Sequence, residues 1–267
     1  MLMSTKITAL LFLVAFFLSI IFCLYFGIYL AQRQEQKIIH KNYGLQVVEG
    51  SVFALLGLIV AFTFSSASQR FDAGRYLITQ QANAIRSAYF LIDLISPELQ
   101  NNLRQDFKQY LSSEIAADRK SSDRKAYALE HNRSQEIQKK IWQQAIKECI
   151  SKELQYRCPI FLSALNNMFD IANTRYSNAD IHPPWAIFVF LVGLAMLGAL
   201  LAGYDIGDRG KGRNLYLFSY AIVIALTVYI VIDLEFPRLG FIRIDSFDKV
   251  LIQLYELIAG TAPNTTP

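Results

Sequence analysis

The sequence predicts an all-α membrane protein with four spans and a helical, water-facing insert between the second and third. Three observations predict it. Of the 267 residues, 53% are hydrophobic and 18% charged, against about a quarter charged in a soluble domain. The apolar residues gather into four stretches of roughly 20, the length a helix needs to cross about 30 Å of hydrocarbon. The segment between the second and third stretches has neither an Asn-Gly or Asp-Gly hairpin signal nor sustained alternation, so it reads as helices.

The first stretch, Ile7 to Leu30, has no ionisable side chain beyond Cys23 and its tyrosines. A signal peptide's apolar region is only about 7–15 residues and ends in small residues, whereas this one ends in Tyr25-Phe26-Gly27-Ile28-Tyr29, so a retained span is expected. The second runs from Gly50 to Ser68 behind Glu49. The third, Trp185 to Tyr204, is introduced by His182-Pro183-Pro184, and the fourth, Leu215 to Ile232, is closed by Asp233 and Glu235. Trp185, Tyr204, Tyr216, Tyr25 and Tyr29 stand near span ends, where amphipathic rings favour the headgroup region. The resulting divisions are 1–68 (two spans), 69–181 (insert), 182–234 (two spans) and 235–267 (tail).

Beyond Arg70 the second span is predicted to continue as one helix, with Phe71, Ile78, Ala82, Ile85, Tyr89 and Ile92 at spacings of three, four and seven. Ser96-Pro97-Glu98 marks a new helix start, with a hydroxyl N-cap, proline at N1 and an acid in the first turn; that helix should reach about Ala117. The charged stretch Asp118 to Lys125 suits a solvated turn or helix end. Further helices are expected over about Ala126–Ile150 and Pro159–Asn178. Pro237 and Gly240 break the helix after the fourth span. Asp245 or Ser246 can cap a short amphipathic helix with Phe247, Val250, Leu251, Leu254 and Ile258 on one face, which should pack on the insert or a neighbouring subunit. The residues from Thr261 read as a disordered tail.

Several function classes find no support. The net charge of +4 comes without a basic run, so nucleic acid is not an expected partner. No metal-ligand spacing appears, and the three histidines, His40, His131 and His182, are far apart, so no metal or cofactor is expected. No Ser-His-Asp set, phosphate loop or paired carboxylates can be assembled, so an enzyme is not expected. Three cysteines make no disulfide framework; Cys149 and Cys158, in an insert on the cytoplasmic side, should be reduced thiols. Internal repeats and broken spans, common in transporters, are absent from the sequence pattern.

An even number of spans puts both termini and the insert on one side. The short loops carry Arg33, Lys37, Lys41, Arg209, Lys211 and Arg213, against eight basic residues near span ends on the other side. This small bias favours a cytoplasmic insert.

The second span carries the functional signal. On a helix, Ala54, Leu58 and Phe62 share a narrow face that extends to Ser65, Ser66 and Gln69. An apolar stripe turning polar is what a pore-lining helix shows: a dewetting constriction, then groups that replace part of an ion's hydration. The plain alternative is a buried Leu/Phe face with serines bonding their own i−4 carbonyls. Glu49, at the start of this span, would favour cations if it ringed a pore mouth; equally it is an interfacial carboxylate pairing with a loop lysine. Asp233 and Glu235 lie at a helix C-terminus, where acids are unfavourable unless paired. Arg238, Arg70 and Arg75 are their candidate partners, and the pairing would be structural.

The run AFTFSSASQRFDAGR (Ala61 to Arg75) resembles the neck of bestrophins, where a phenylalanine ending the second span is followed, after seven small or polar residues, by an arginine and an aromatic. Phe62, Arg70 and Phe71 fit that pattern. HPPWA (His182 to Ala186) and DLEFPRLGFIRID (Asp233 to Asp245) resemble a bacterial membrane family of unknown function described as bestrophin-like, and the order of elements agrees over nearly the whole chain. The resemblance implies a homo-pentamer in a bacterial inner membrane, both termini cytoplasmic, passing a small inorganic ion through a pore lined by the second span. Ala54, Leu58 and Phe62 would form its hydrophobic neck. Ala54 and Leu58 stand where bestrophins carry bulkier residues. The acidic calcium-binding run after the fourth span is missing, Asp245 and Asp248 being a poor substitute, so calcium gating is not expected. The competing reading is a membrane-anchored scaffold or signalling module whose insert binds a partner.

Overall fold

The computed structural model of the protein describes residues 2–34, 43–121, 123–149, 156–179, 181–206, 213–235 and 249–260. Among these residues the chain is helical and no strand occurs. The helices are α1 (Leu2–Gln34), α2 (Tyr43–Phe90), α3 (Pro97–Arg119), α4 (Arg124–Cys149), α5 (Cys158–Ala179), α6 (Trp185–Ile206), α7 (Arg213–Glu235) and α8 (Lys249–Ala259), with a 3₁₀ turn at Leu91–Leu94 before α3. Four stretches are long and apolar enough to cross a membrane: Ile7–Arg33, Val47–Leu94, Trp185–Ile206 and Asn214–Glu235. The chain divides into two compact units, Met1–Phe71 with His182–Ile242, and Asp72–Ile181 with Arg243–Pro267.

The first unit is the spans. Lipid offers no hydrophobic drive for helix association, so spans associate by close packing, and small residues at the contact let backbones approach. Helix α6 supplies such a row in Ala195, Gly198, Ala199, Ala202 and Gly203, all buried. Its crossing with α1 leaves no room for side chains: a Cβ on Gly203 would lie 2.1 Å from the Leu24 carbonyl oxygen, and one on Gly27 2.2 Å from that of Leu200. Phe16, Ile20 and Leu24 of α1, with Leu217, Ala221 and Val228 of α7, complete the core. Helix α2 joins it sparingly. Between Val47 and Ser68 only Leu56 and Ala67 are buried, and Phe53 meets Tyr220 of α7 edge-on at 6.0 Å between ring centres.

The second unit packs the lower half of α2 with α3, α4, α5 and α8. Ile78, Ile85, Leu103, Phe107, Ile141, Phe161 and Leu165 are fully or almost fully buried, and α8 rests on α3 with Leu251, Leu254 and Ile258 buried. Its capping residues Asp245, Ser246 and Phe247 lie outside the described residues. The charged side chains inside this core are paired, as burial requires. Gln81 of α2 donates to Glu114 at 2.8 Å and accepts from Arg175 of α5 at 2.6 Å. The second Arg175 nitrogen reaches Asp118 at 2.5 Å, and Ser134 donates to Glu114. Asp106 takes Lys140 at 2.6 Å and Gln144 at 3.0 Å. Burial works against the Arg175 charge, but Asp118 and Glu114 outweigh it and hold the guanidinium above its ordinary pKa. Burial, aided by Glu114, pushes the Tyr110 phenol up.

Asp118 lies at a helix end, one of the two readings of its stretch: it sits in the last turn of α3, 6% exposed and paired with Arg175. Two expectations are corrected. Ser96 occupies the N-cap position before Pro97, but its hydroxyl makes no capping bond; the buried oxygen has no hydrogen-bond partner. Capping by side chain occurs instead at Asp123, which accepts from the Lys125 and Ala126 amides at 3.0 and 3.2 Å. Finally, Cys149 and Cys158 are not free thiols. They form a disulfide joining the end of α4 to the start of α5. Cys23, in α1, is free.

Candidate functional site

The geometry of α2 follows from two lines of residues on opposite sides of one helix. Val52, Leu56, Ile59, Thr63, Ala67 and Arg70, spaced by three or four, are buried or half-buried. Ala54, Leu58, Phe62, Ser65 and Gln69 follow the same spacing, and at about 100° per residue they fall on the far side. All five are exposed, Leu58 at 51% and Phe62 at 64%. Ser66 is exposed at the flank of this line. Beyond the span the outward line runs on through Asp72, Tyr76, Thr79, Asn83 and Arg86. The stripe is therefore not buried within its own chain.

Two hydroxyls near the end of the span are bonded differently. Thr63, on the packed side, donates to the Ile59 carbonyl at 2.8 Å, the i−4 bond that relieves a hydroxyl in lipid. Ser65, on the outward side, instead accepts from the Gln69 amide at 3.2 Å. Glu49 belongs to the packed side: it is half-buried and within electrostatic reach of Tyr220.

Where the span ends, Arg70 turns inward. Its Nε and Nη2 donate to one oxygen of Glu235 at 2.9 and 2.6 Å. The other Glu235 oxygen faces His182 Nδ1 at 3.2 Å. The Glu235 side chain is 1% exposed, that of Arg70 31%. A carboxylate at the negative end of α7 needs this compensation. Beside the cluster, a groove of about 370 Å³ is lined by Phe62, Thr63 and Ser66 of α2 and by Pro183, Ala186 and Phe190.

Three sequence motifs thus converge on Glu235: the neck run through Arg70, HPPWA through His182, and DLEFPRLGFIRID through Glu235 itself. The chain matches the bestrophin-like domain over residues 11–246. It belongs to the bestrophin-like family. Among solved structures it is similar to a bacterial bestrophin homologue from Klebsiella pneumoniae, with a TM-score of 0.67 and 15% identity, covering 94% of this chain and 99% of that one. A second structure of a Klebsiella pneumoniae bestrophin homologue, carrying a substitution, gives a TM-score of 0.66 at 14% identity, over 93% and 99% of the two chains. No curated protein matches. At such identities these neighbours establish the fold alone: an integral membrane protein with bestrophin-like architecture.

The remaining candidates of this bestrophin-like chain are placed differently. Arg75 pairs with Asp72 at 3.2 Å on the exposed surface of α2. Asp233 is buried and accepts from Tyr229 at 3.0 Å. Arg238, Asp245 and Asp248 lie outside the described residues. His182 was legible only as the residue opening the third span; its bond to Glu235 depends on two motifs 53 residues apart meeting, which no local pattern encodes.

Proposed function

We propose that this protein is a homo-pentameric ion channel of a bacterial inner membrane, with both termini cytoplasmic and α2 lining the pore. The observation that carries the reading is the outward line of α2. A helix that buries one side against its own chain and leaves the opposite side exposed, apolar through Ala54, Leu58 and Phe62 and then polar through Ser65, Ser66 and Gln69, has a face whose polar end lipid satisfies poorly. Five copies around an axis would give that face water at its polar end and a dewetting constriction at its apolar end. Ala54, Leu58 and Phe62 form the neck; Ser65, Ser66 and Gln69 receive the ion as it regains solvation. Arg70, held by Glu235 and His182, fixes the rotation of α2, so that the line stays aimed at the axis.

Reconstitution into liposomes with an ion-flux assay tests this. The wild type should conduct, and Leu58→Ala and Phe62→Ala should raise flux by widening the neck. Absence of flux in all three, or a monomer in detergent by light scattering, would defeat the channel reading and favour a membrane-anchored scaffold.

A further inference from the structure

The Cys149–Cys158 pair is not used by the pore and demands its own account. Its two sulfurs are placed unequally. Cys149 closes α4 and is half-buried, the more accessible of the two, whereas Cys158 is 3% exposed. Cys158 is also the first residue of α5, a helix of 22 residues, with Arg157 immediately before it. The dipole at a helix start favours a thiolate, against the burial that opposes one. A disulfide is cleaved fastest when the attacked sulfur is accessible and the departing thiolate is stabilised. Both conditions meet here in one orientation.

We propose that Cys149–Cys158 is a reversible thiol–disulfide site that exchanges with a low-molecular-weight thiol and so controls the covalent tie between the last residue of α4 and the first of α5. A thiolate R–S⁻ attacks Cys149 Sγ; the Cys149–Cys158 bond breaks as the mixed disulfide R–S–Cys149 forms, and Cys158 leaves as thiolate. A second R–S⁻ attacks the sulfur of R in that adduct, releasing Cys149 as thiolate and R–S–S–R. The two cysteine thiolates take up the two protons that the attacking thiols lost. The protein disulfide is reduced by two electrons and two R–SH are oxidised to R–S–S–R; oxidation runs the same steps backwards. An insert on the cytoplasmic side meets such thiols continuously, and disulfides there are transient.

The consequence is local. Away from the disulfide, α5 is held to α4 by Trp142 against Phe169 and by His131 stacked 3.6 Å from Tyr176. Its far end is pinned by Arg175 to Gln81 and Asp118. Reduction therefore removes the covalent tie at the first residue of α5, ahead of the buried Phe161 and Leu165, while the Arg175 end stays docked. This inference does not rest on the pore, but it does rest on the proposed cytoplasmic side of the insert.

The test uses the full chain in detergent, equilibrated with defined ratios of reduced to oxidised glutathione, then trapped with a maleimide–polyethylene glycol and read by gel shift. Cys149 and Cys158 should interconvert between disulfide and dithiol within the range of ratios a cell spans, with Cys23 unchanged throughout. Hydrogen exchange over the last turn of α4 and the first turn of α5 should quicken at least several-fold on reduction, and exchange around Arg175 should not. In single-cysteine variants, Cys158→Ser should form the glutathione adduct at Cys149 at least ten-fold faster than Cys149→Ser does at Cys158. Trapping in acid-quenched cells should find the dithiol, converting to disulfide under a thiol oxidant. The proposal is overturned if the pair stays oxidised in pure reduced glutathione or never closes in excess oxidised glutathione. A pair fully oxidised in unstressed cells overturns it equally.

Discussion

Replacing Arg70 by methionine isolates what the anchor below the second span contributes. Glu235 is 1% exposed and receives both its short bonds from Arg70. Removing one partner of a buried ion pair costs about 3–5 kcal/mol, most of it from the charge left behind. Arg70 is 31% exposed and His182 stays beside Glu235, so the lower end, about 3 kcal/mol, applies. For a chain of this size each kcal/mol moves the unfolding midpoint by roughly 2–4 °C, which gives a fall of roughly 6–12 °C for Arg70→Met. Glu235→Leu should fall less, because the arginine it leaves reaches solvent. The double variant Arg70→Met/Glu235→Leu should recover most of the loss, since an apolar pair of similar volume removes the stranded charge. Melting followed by circular dichroism in one detergent at one scan rate makes the four proteins comparable. An Arg70→Met midpoint within about 2 °C of wild type would refute the reasoning, as would a double variant that loses the sum of the singles.

Two other outcomes follow from the packing. Gly203→Leu should abolish the stable fold, because backbone rather than a movable side chain occupies the space its Cβ would take, whereas Gly193→Ala, with nothing within 4 Å, should be neutral. Expression and monodispersity on size-exclusion chromatography check this, and a well-behaved Gly203→Leu would contradict the close crossing. His131 is buried enough to lie below its ordinary pKa, despite the opposing pull of Glu114. The unfolded chain therefore takes up its proton first, and stability present above about pH 6.5 is lost as pH falls below that value. His131→Phe keeps a ring on Tyr176 and removes the proton site, so its midpoint should fall less between pH 7.5 and 5 than that of the wild type; parallel curves would count against this.

The spans and the long α2 were legible because both write themselves as composition and period: apolar runs of fixed length, then Ile78, Ala82 and Ile85 at helical spacing. The outward stripe was legible for the same reason, since Ala54, Leu58, Phe62, Ser65 and Gln69 need only helical geometry to share a face. What could not be read was which distant groups meet. Glu235 had three arginines as candidate partners, and only the docking of α7 beside α2 selects Arg70. Asp118 stood among Arg119, Lys120 and Asp123 with no sign of its true neighbour, Arg175, which lies 57 residues away. The cysteine pair escaped a counting rule that looks for frameworks, when all that is needed is an α4–α5 hairpin bringing two helix ends within 5.5 Å between Cα atoms.

The crossing of Gly27 with Gly203 sets an order of events during biosynthesis. The tightest contact of the first span is made with a helix encoded 176 residues later, the difference between positions 27 and 203. At about 5–20 residues per second, α1 waits roughly 10–35 s for its partner. Throughout that interval its notch at Gly27 faces lipid. The last two spans must then slide in against a helix already inserted, so the bundle closes from its end rather than growing span by span.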